Sequence, residues 1–275
     1  MNKKIINTLL VLFFTTPYIL FGAQQNQEYT FGVISQRSAI ETAKIWNPIF
    51  NYVEKTTGIK LVLQVAKTGV ESKEATDAGK YDFTYSNVIF DKQHIIYTPI
   101  LKPNTDGISS QLVTLENSKI NNLQDLNNIK IGFPSKIAFA GYMIPTTYLK
   151  QQKISFDEVF GGNQEGIMAQ LQSGAIEAAA VNSGVMKEYA LKENLKYKVI
   201  WQSIKFPDIP IAVHERVPLD IAKGVQIAIA SMSREPEGKK ILEQISQDTQ
   251  RAAPEFSIAN MQTYEQYLIF YKSLQ

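Results

Sequence analysis

A short pattern occurs twice in this chain, and it constrains the fold more than any other feature. The first copy reads DAGKYDFTYSN over residues 77–87, and the second reads QSGAIEAAAVN over residues 172–182. In both copies an acid stands three residues after glycine and an asparagine stands eight residues after it. Each copy is typical of a helix that ends at glycine, a turn, and a short apolar strand followed by a new helix.

Ligands of open α/β sheets bind at the carboxyl ends of the strands. Two matching strand ends, far apart in the sequence, therefore predict two similar lobes that face one cleft. The alternative is coincidence, because glycine, alanine and acids are common and turns between helices and strands resemble one another.

The first 23 residues are predicted to be a secretory signal peptide. Asn2, Lys3 and Lys4 form a basic start, residues 5–21 are mostly apolar, and small residues follow at 22–23. The alternative is a membrane anchor, which Pro17 and the short apolar run disfavour because a spanning helix needs about 20 apolar residues. Cleavage near Ala23 is expected, which places the mature protein in the periplasm.

Charge and cysteine content exclude several classes of function. The net charge of +2 comes from the signal segment, because without Lys3 and Lys4 the 28 basic residues become 26, against 26 acidic ones. A neutral chain with mixed charges gives no case for nucleic-acid binding. The absence of cysteine excludes thiol catalysis, cysteine metal sites and a lipid anchor on cysteine. A freely diffusing monomer is expected.

The order of predicted elements indicates an α/β protein with two lobes, each with a central, mostly parallel sheet, joined by a hinge. Residues 29–85 read as β-α-β-α-β, which implies right-handed crossovers. Clusters of proline, glycine and polar residues at 102–107 and 206–210 mark two crossings between the lobes. The predicted division is residues 28–107 plus 214–275 for lobe 1 and 108–213 for lobe 2.

The sequence offers little catalytic chemistry. His94 and His214 are the two histidines, and neither belongs to a metal-binding or nucleophile motif. Asp82 and Glu177 resemble a carboxylate pair, but their places near strand starts favour solvated turn acids. No enzyme activity, metal or cofactor is expected.

Polar and aromatic residues at the junctions between strands and helices are the candidate ligand contacts. These junctions expose free N–H groups of helix N-termini, which suit anions. The alternative for each polar residue is a helix cap. The candidates are Ser35, Arg37, Tyr85, Ser86, Asn87, Ser135, Lys136, Phe139, Gln164, Glu165, Asn182 and Ser183.

These candidates have distinct expected roles. Arg37 or Lys136 would neutralise an anion, and Tyr85 or Phe139 would shape the site. Directional hydrogen bonds would come from three amide side chains, those of Asn87, Gln164 and Asn182. Together they predict a cleft for a small polar molecule.

Several fragments, in this order and spacing, resemble one known family. They are FGV at 31–33, WNP at 46–48, GKYDF at 79–83, IGFPS at 131–135, LQSGAIEA at 171–178 and PIAV at 210–213. The chain resembles the phosphonate/phosphite-type periplasmic substrate-binding proteins of ABC transporters. That resemblance implies the type II periplasmic binding fold, in which two lobes trap a ligand between them.

Two departures from the family pattern bear on specificity. Phosphonate-binding relatives carry Ser-Thr-Ser-Gly-Tyr where this chain has AFAGY at 138–142, and Ser-His-Asp where it has NQE at 163–165. The position of the site carries over, but the hydroxyls that hold a phosphonate do not. Simple phosphonates and phosphate are therefore expected to be poor ligands.

The resulting hypothesis is a periplasmic solute-binding protein that delivers a small, anionic ligand to the permease of an ABC transporter. The alternative is a ligand sensor that signals to a membrane receptor kinase. A periplasmic hydrolase ranks below both, because no base and nucleophile pair is evident in the sequence.

Overall fold

The computed structural model describes residues 27–91 and 95–274. It is an α/β structure built on two mixed sheets, which confirms the predicted fold class. Among the described residues, no helix is both long and apolar enough to cross a membrane. The predicted signal peptide and His94 lie outside the described residues.

The first sheet, called sheet A, holds the amino-terminal strands and two returning segments. Its spatial order within the described chain is β11-β4-β10-β3-β1-β2. The strands are β1 (Glu28–Val33), β2 (Lys60–Val65), β3 (Phe83–Tyr85), β4 (Tyr97–Pro103), β10 (Ile211–His214) and β11 (Phe256–Ile258).

The second sheet, called sheet B, is formed by the middle of the chain. Its spatial order within the described residues is β7-β6-β8-β5-β9. The strands are β5 (Ser110–Leu115), β6 (Ile129–Phe133), β7 (Phe156–Phe160), β8 (Ala178–Asn182) and β9 (Tyr197–Gln202).

Helices cover both sheets. On the sheet A side are α1 (Ala39–Thr57), α2 (Gly69–Asp77), α6 (Leu219–Ser231), α7 (Pro236–Thr249) and α8 (Glu265–Ser273). On the sheet B side are α3 (Ile144–Gln151), α4 (Gln164–Gln172) and α5 (Ser183–Lys192). A π-helical turn, Phe139–Met143, leads directly into α3.

The sheets are mixed, whereas the sequence analysis predicts mostly parallel ones. In sheet A, β1 pairs in parallel with β2 and β3, while β10 pairs antiparallel with β3 and β4. In sheet B, β6 pairs in parallel with β7 and β8, while β5 pairs antiparallel with β8 and β9. Parallel pairs occur where helices connect the strands, and antiparallel pairs occur where the chain enters or leaves a sheet through a crossing segment.

Two crossing segments run side by side between the sheets. Residues 104–109 lead from β4 to β5, and residues 203–210 lead from β9 to β10. Ile108 and Phe206 form an antiparallel bridge, with both N–H···O distances at 2.8 Å. Because β10 pairs with β3 and β4, residues 211–213, which the sequence analysis assigns to lobe 2, belong to sheet A.

Local sequence sets the ends of α1, which places the first loop beside the cleft. Ser38 caps the helix by accepting a hydrogen bond from the Glu41 amide at 3.3 Å, and Gly58 ends it with φ of 74°. The face with Trp46 and Phe50 is buried against Phe31 of β1. This packing holds the β1–α1 loop, residues 34–38, at the carboxyl end of β1.

Candidate functional site

A small cavity lies between the two sheets, at the carboxyl ends of their parallel strands, and is called the central cavity. It leaves about 30 Å³ for the centres of water-sized molecules. Sheet A and its helices contribute one wall: Ile34, Ser35, Gln36, Gly69 and Asn87. Sheet B and its helices contribute the opposite wall: Pro134, Ser135, Ile137, Ala138, Phe139, Ala140, Gln164 and Asn182. The crossing segments close it with Ile108 and Ile209.

Helix N-termini from both sides begin at this cavity. Helix α2 begins at Gly69, α4 begins at Gln164, and the π-helical turn begins at Phe139. No side chain of the described chain caps the π-helical turn. The first N–H groups of a helix have no partner within it and attract negative charge. The arrangement can therefore accept an anion, although none of the residues that line the cavity carries an ionisable side chain.

Three buried amide side chains line the central cavity. The Gln164 Oε1 accepts a hydrogen bond from the Asn182 backbone N at 3.2 Å. The Asn182 Oδ1 caps α5 by accepting from the Gly184 amide at 2.9 Å. Asn87, 4 % exposed, lies beside the Tyr267 hydroxyl of α8. Burial raises the pKa of that hydroxyl well above its ordinary value, and the Asn87 side chain acts in the opposite direction. The two asparagines of the repeated pattern thus lie on opposite walls of one cavity.

The π-helical turn approaches Gln164 closely because it contains glycine. A Cβ atom added at Gly141 would lie 2.7 Å from the Gln164 Nε2 and 2.7 Å from a ring carbon of Pro134. This close approach brings the start of the turn and the start of α4 to the same side of the cavity.

A second, larger cavity adjoins the first and is called the side cavity. It leaves about 420 Å³ for water-sized molecules and shares Gln36, Ile108 and Asn182 with the central cavity. Tyr85 and Trp46 form an aromatic wall, with ring centroids 5.0 Å apart. Burial raises the pKa of Tyr85 well above its ordinary value, so its hydroxyl stays protonated.

Charged groups of both signs line the side cavity. They are Arg37, Glu188, Asp208, Arg251 and Glu255. Arg37 binds Glu188 at 2.6 Å. Burial raises the pKa of Asp208, although hydrogen bonds from the Ile209 amide and the Thr105 hydroxyl act in the opposite direction.

The predicted contact residues fall into three groups in this structure. Six line the central cavity: Ser35, Asn87, Ser135, Phe139, Gln164 and Asn182. Arg37 and Tyr85 line the side cavity, which Asn182 also reaches. Four line neither cavity: Ser86, Lys136, Glu165 and Ser183.

The residues outside both cavities have other partners. Ser86 accepts from the Val88 amide at 3.3 Å, and Ser183 accepts from the Ser109 amide at 3.0 Å, so both hydroxyls support local backbone. Lys136 is exposed and lies 5.7 Å above the Phe160 ring. Glu165 binds Arg251 at 2.9 Å.

Phe139 lines the central cavity, and its ring is buried in an aromatic cluster. The ring stacks on Tyr267 at 4.3 Å, and it also contacts Phe206, Phe270 and Tyr271. It therefore joins the sheet B side to α8 in this structure.

The two acids of the repeated pattern lie away from the cavities. Asp82 accepts hydrogen bonds from Thr30 and binds Arg216 at 2.8 Å, while Glu177 is exposed. Burial raises the pKa of Asp82, but the hydrogen bonds from Thr30 and Arg216 outweigh it, so the pKa lies below its ordinary value. Burial and the charge of Arg216 lower the pKa of His214, which packs edge-on against Tyr97.

Several residues at the two cavities were not predicted from the sequence. Gln36 and Gly69 line the central cavity, and Arg251 lines the side cavity. Gln36 lies between the predicted residues Ser35 and Arg37, so its position in the first loop could have indicated that it lines the cavity. Arg251 has no motif around it, and only the tertiary fold brings it to the side cavity.

Comparison with known proteins agrees with this architecture. The family described as the periplasmic substrate-binding protein of phosphonate ABC transporters matches residues 31–255. The chain is 23% identical to the phosphonates-binding periplasmic protein of Escherichia coli (strain K12), over 94% of this chain and 83% of that protein.

Solved structures show the same fold. A binding protein component of an ABC phosphonate transporter from Pseudomonas aeruginosa is 18% identical with a TM-score of 0.75, covering 89% of this chain and 86% of that one. PhnD1 from Prochlorococcus marinus (MIT 9301), solved in complex with methylphosphonate, is also 18% identical with a TM-score of 0.75, covering 90% and 98%.

Proposed function

The chain belongs to the family of periplasmic substrate-binding proteins of phosphonate ABC transporters, and from this premise we propose that it captures a small anionic solute in the central cavity. The two lobes would close on the ligand, and the closed complex would deliver it to the permease of an ABC importer. Export through the predicted signal peptide would bring the protein to the periplasm as a monomer.

The observation that carries this proposal is the convergence of helix N-termini from both sheets on one cavity. Helix α2 comes from the sheet A side, while α4 and the π-helical turn come from the sheet B side. A ligand that contacts both walls favours the closed arrangement over the open one, which is a population shift. Anion binding then needs no charged side chain, because oriented N–H groups and amide donors supply the stabilisation.

Isothermal titration calorimetry with defined anions, together with native mass spectrometry of gently purified protein, tests this function. The titrants are phosphate, phosphite, methylphosphonate and 2-aminoethylphosphonate, and mass spectrometry detects any co-purifying solute. A small anion released from the native protein, or saturable binding of a titrated anion, is the expected result. A native protein that carries no solute and binds no small anion would contradict capture.

The sign of the ligand charge is tested by Gln164→Glu. The substitution keeps an oxygen acceptor for the Asn182 amide and adds a negative charge to the cavity wall. Affinity for a bound anion should fall by tenfold or more, because like charges at short distance in a partly buried site repel strongly. Gln170→Glu on the same helix, outside the cavity, is the matched control. Unchanged or stronger binding in the Gln164 variant would show that the ligand is not an anion.

A further inference from the structure

We propose that Arg251 is a positioning residue for ligand capture. It holds the sheet A side against the sheet B side through two carboxylates of the sheet B side, those of Glu165 and Glu188. This inference rests on the proposed function, since it assigns the contacts that stabilise the closed form. Arg251 touches neither a substrate nor the walls of the central cavity. It acts through a group that we call the interface ion cluster, which consists of Arg37, Glu41, Glu165, Glu188 and Arg251.

The cluster joins the two sides of the cleft by direct ion pairs. Arg251, just after α7, binds Glu165 of α4 at 2.9 Å and lies 3.6 Å from Glu188 of α5. Arg37, just before α1, binds Glu188 at 2.6 Å. Glu41 of α1 completes the group at 3.6 Å from the Arg251 Nη1. Both arginines therefore belong to the sheet A side, and two of their three carboxylate partners belong to the sheet B side.

Burial makes Arg251 dependent on these partners. Its side chain is 4% exposed, while the side chains of Glu165 and Glu188 are 22% and 33% exposed. Its Nε and Nη1 are buried and have no hydrogen-bond acceptor among the described residues. A buried guanidinium is tolerated only when carboxylates offset its lost hydration. Separation of the two sides would leave Arg251 with Glu41 as its one remaining carboxylate in the cluster, until water reaches it.

The cluster is continuous in sequence with the walls of the central cavity. Ser35 and Gln36 line the cavity, and Arg37 follows directly. Gln164 lines the opposite wall, and Glu165 follows directly. The Glu165 carboxylate also accepts a hydrogen bond from the Ser38 amide at 3.3 Å. The ion pairs of the cluster therefore form in the same movement that brings the two cavity walls together around a ligand.

The consequence for affinity follows from population arithmetic. When only a fraction of the protein is binding-competent, the apparent dissociation constant rises by the inverse of that fraction. A variant that reduces the closed fraction tenfold binds about ten times more weakly, although no ligand contact has changed. Truncation of a buried charge pair acts mainly on the dissociation rate.

The experiment compares Arg251→Gln with Arg216→Gln. Arg216 is a matched control because its ion pair with Asp82, at 2.8 Å, lies entirely on the sheet A side. The chain contains no cysteine, so Leu191→Cys on α5 and Ile227→Cys on α6, which are 75% and 61% exposed, give a clean spin-label pair across the cleft. Pulsed electron resonance reports the distance distribution and small-angle scattering reports the radius of gyration, both without added ligand.

We expect Arg251→Gln to move the distance distribution and increase the radius of gyration, while Arg216→Gln changes neither. Sodium chloride at 1 M should shift the unaltered protein in the same direction, because the pairs of Glu188 are partly exposed. Arg251→Lys should recover part of the closed population. If the Arg251→Gln protein is too unstable for the distance measurement to be made, two other variants replace it: Arg37→Gln, and the double exchange Arg37→Glu with Glu188→Arg.

Two results would overturn the inference. One is a folded Arg251→Gln protein with the distance distribution of the unaltered chain. The other is a spin-label distance distribution that changes neither with the Arg37→Gln substitution nor with 1 M sodium chloride. Because these measurements use no ligand, they are independent of the calorimetric test of capture. Once a bound anion is known, its dissociation rate from Arg251→Gln should be tenfold or more above that of the Arg216→Gln control.

Discussion

Asn87 and Asn182 occupy the same position after β3 and β8, but the fold uses them differently. The Asn182 Oδ1 caps α5 by accepting a hydrogen bond from the Gly184 amide. Asn87 makes no capping bond with the short 3₁₀ helix that follows it and lies beside the Tyr267 hydroxyl of α8 instead. We therefore expect a substitution at Asn182 to affect both folding and ligand binding, and one at Asn87 to affect ligand binding and the contact with α8.

A pair of substitutions at Asn182 separates these two effects. Asn182→Ala should lower the stability by about 1 kcal/mol through the lost cap and weaken ligand binding by about 1 kcal/mol through the lost hydrogen bond. Asn182→Ser keeps a capping oxygen but has no amide, so it should restore the melting temperature and leave binding weak. Thermal unfolding and calorimetry measure the two quantities. If both variants bind normally, the repeated asparagine serves only as a cap.

At the residue scale we expect specificity to depend on Ala138 and Ala140, where the family pattern has hydroxyl side chains. Both alanines line the central cavity beside an uncapped helix start. Each missing hydrogen bond to a charged group costs about 1.5–3 kcal/mol, so simple phosphonates should bind this chain weakly. Phe139 does not offer a replacement, because its ring packs on Tyr267 at 4.3 Å.

Restoring the hydroxyls tests this explanation. The double variant Ala138→Ser, Ala140→Ser should bind methylphosphonate at least tenfold more tightly than the unaltered chain, and calorimetry measures the difference. Ala175→Ser, at an exposed position in the turn before β8, is the control. Sub-micromolar binding of methylphosphonate by the unaltered chain would contradict the prediction.

At the scale of elements, α8 holds the start of the π-helical turn in place. The Phe139 ring lies within 5.7 Å of the rings of Phe206, Tyr267, Phe270 and Tyr271. The Tyr267 hydroxyl in turn donates to the Pro207 carbonyl at 2.9 Å, which fixes the second crossing segment. One helix therefore supports the cavity wall on the sheet B side, Asn87 on the sheet A side, and the crossing between them.

Phe139→Ala should lower the free energy of unfolding by about 3–5 kcal/mol, the usual cost of removing a buried aromatic ring. It should also weaken ligand binding, because the helix start at the cavity loses its support. Chemical denaturation measures the first effect and calorimetry the second. Phe160→Ala in β7, where the side chain is 38% exposed, is the control and should cost clearly less. Equal losses for the two variants would show that the aromatic cluster has no special role.

The elements with local signals were predictable from the sequence. Ser38 and Gly58 set the ends of α1, and the Asn163 side chain caps α4. Strand β4 (Tyr97–Pro103) was missed because it is specified by pairing with β10, more than 100 residues away in sequence. Strand β11 (Phe256–Ile258) was not predicted for a different reason: the pattern from residue 219 onward reads as helical, and three residues at a sheet edge carry too little periodicity to show against it.

At the scale of the whole molecule, charge pairing across the cleft could not be predicted. Arg37 or Lys136 was expected to neutralise an anion, and in this structure the Arg37 guanidinium binds Glu188. Glu165 was expected to contact the ligand, yet it binds Arg251, 86 residues further along the chain. Sequence patterns report which residues follow strands, but the partners of a charged side chain depend on how the two sheets face each other. The cavity walls follow from topology, whereas the ion pairs follow from the packing of one side on the other.

The two sides are expected to move relative to each other about the two crossing segments. Only residues 104–109 and 203–210 cross between the described parts of the two sheets, and the bridge between Ile108 and Phe206 couples them, so we expect each side to turn as a rigid body. A saturating anion identified by calorimetry should reduce the radius of gyration toward about 18 Å, the value for a compact chain of roughly 250 residues. At an anion concentration that only just saturates the unaltered protein, Gln164→Glu should show less compaction, because it is expected to bind the anion at least tenfold more weakly. Small-angle scattering of both proteins makes the comparison, and saturated binding without any compaction would rule out closure by a hinge.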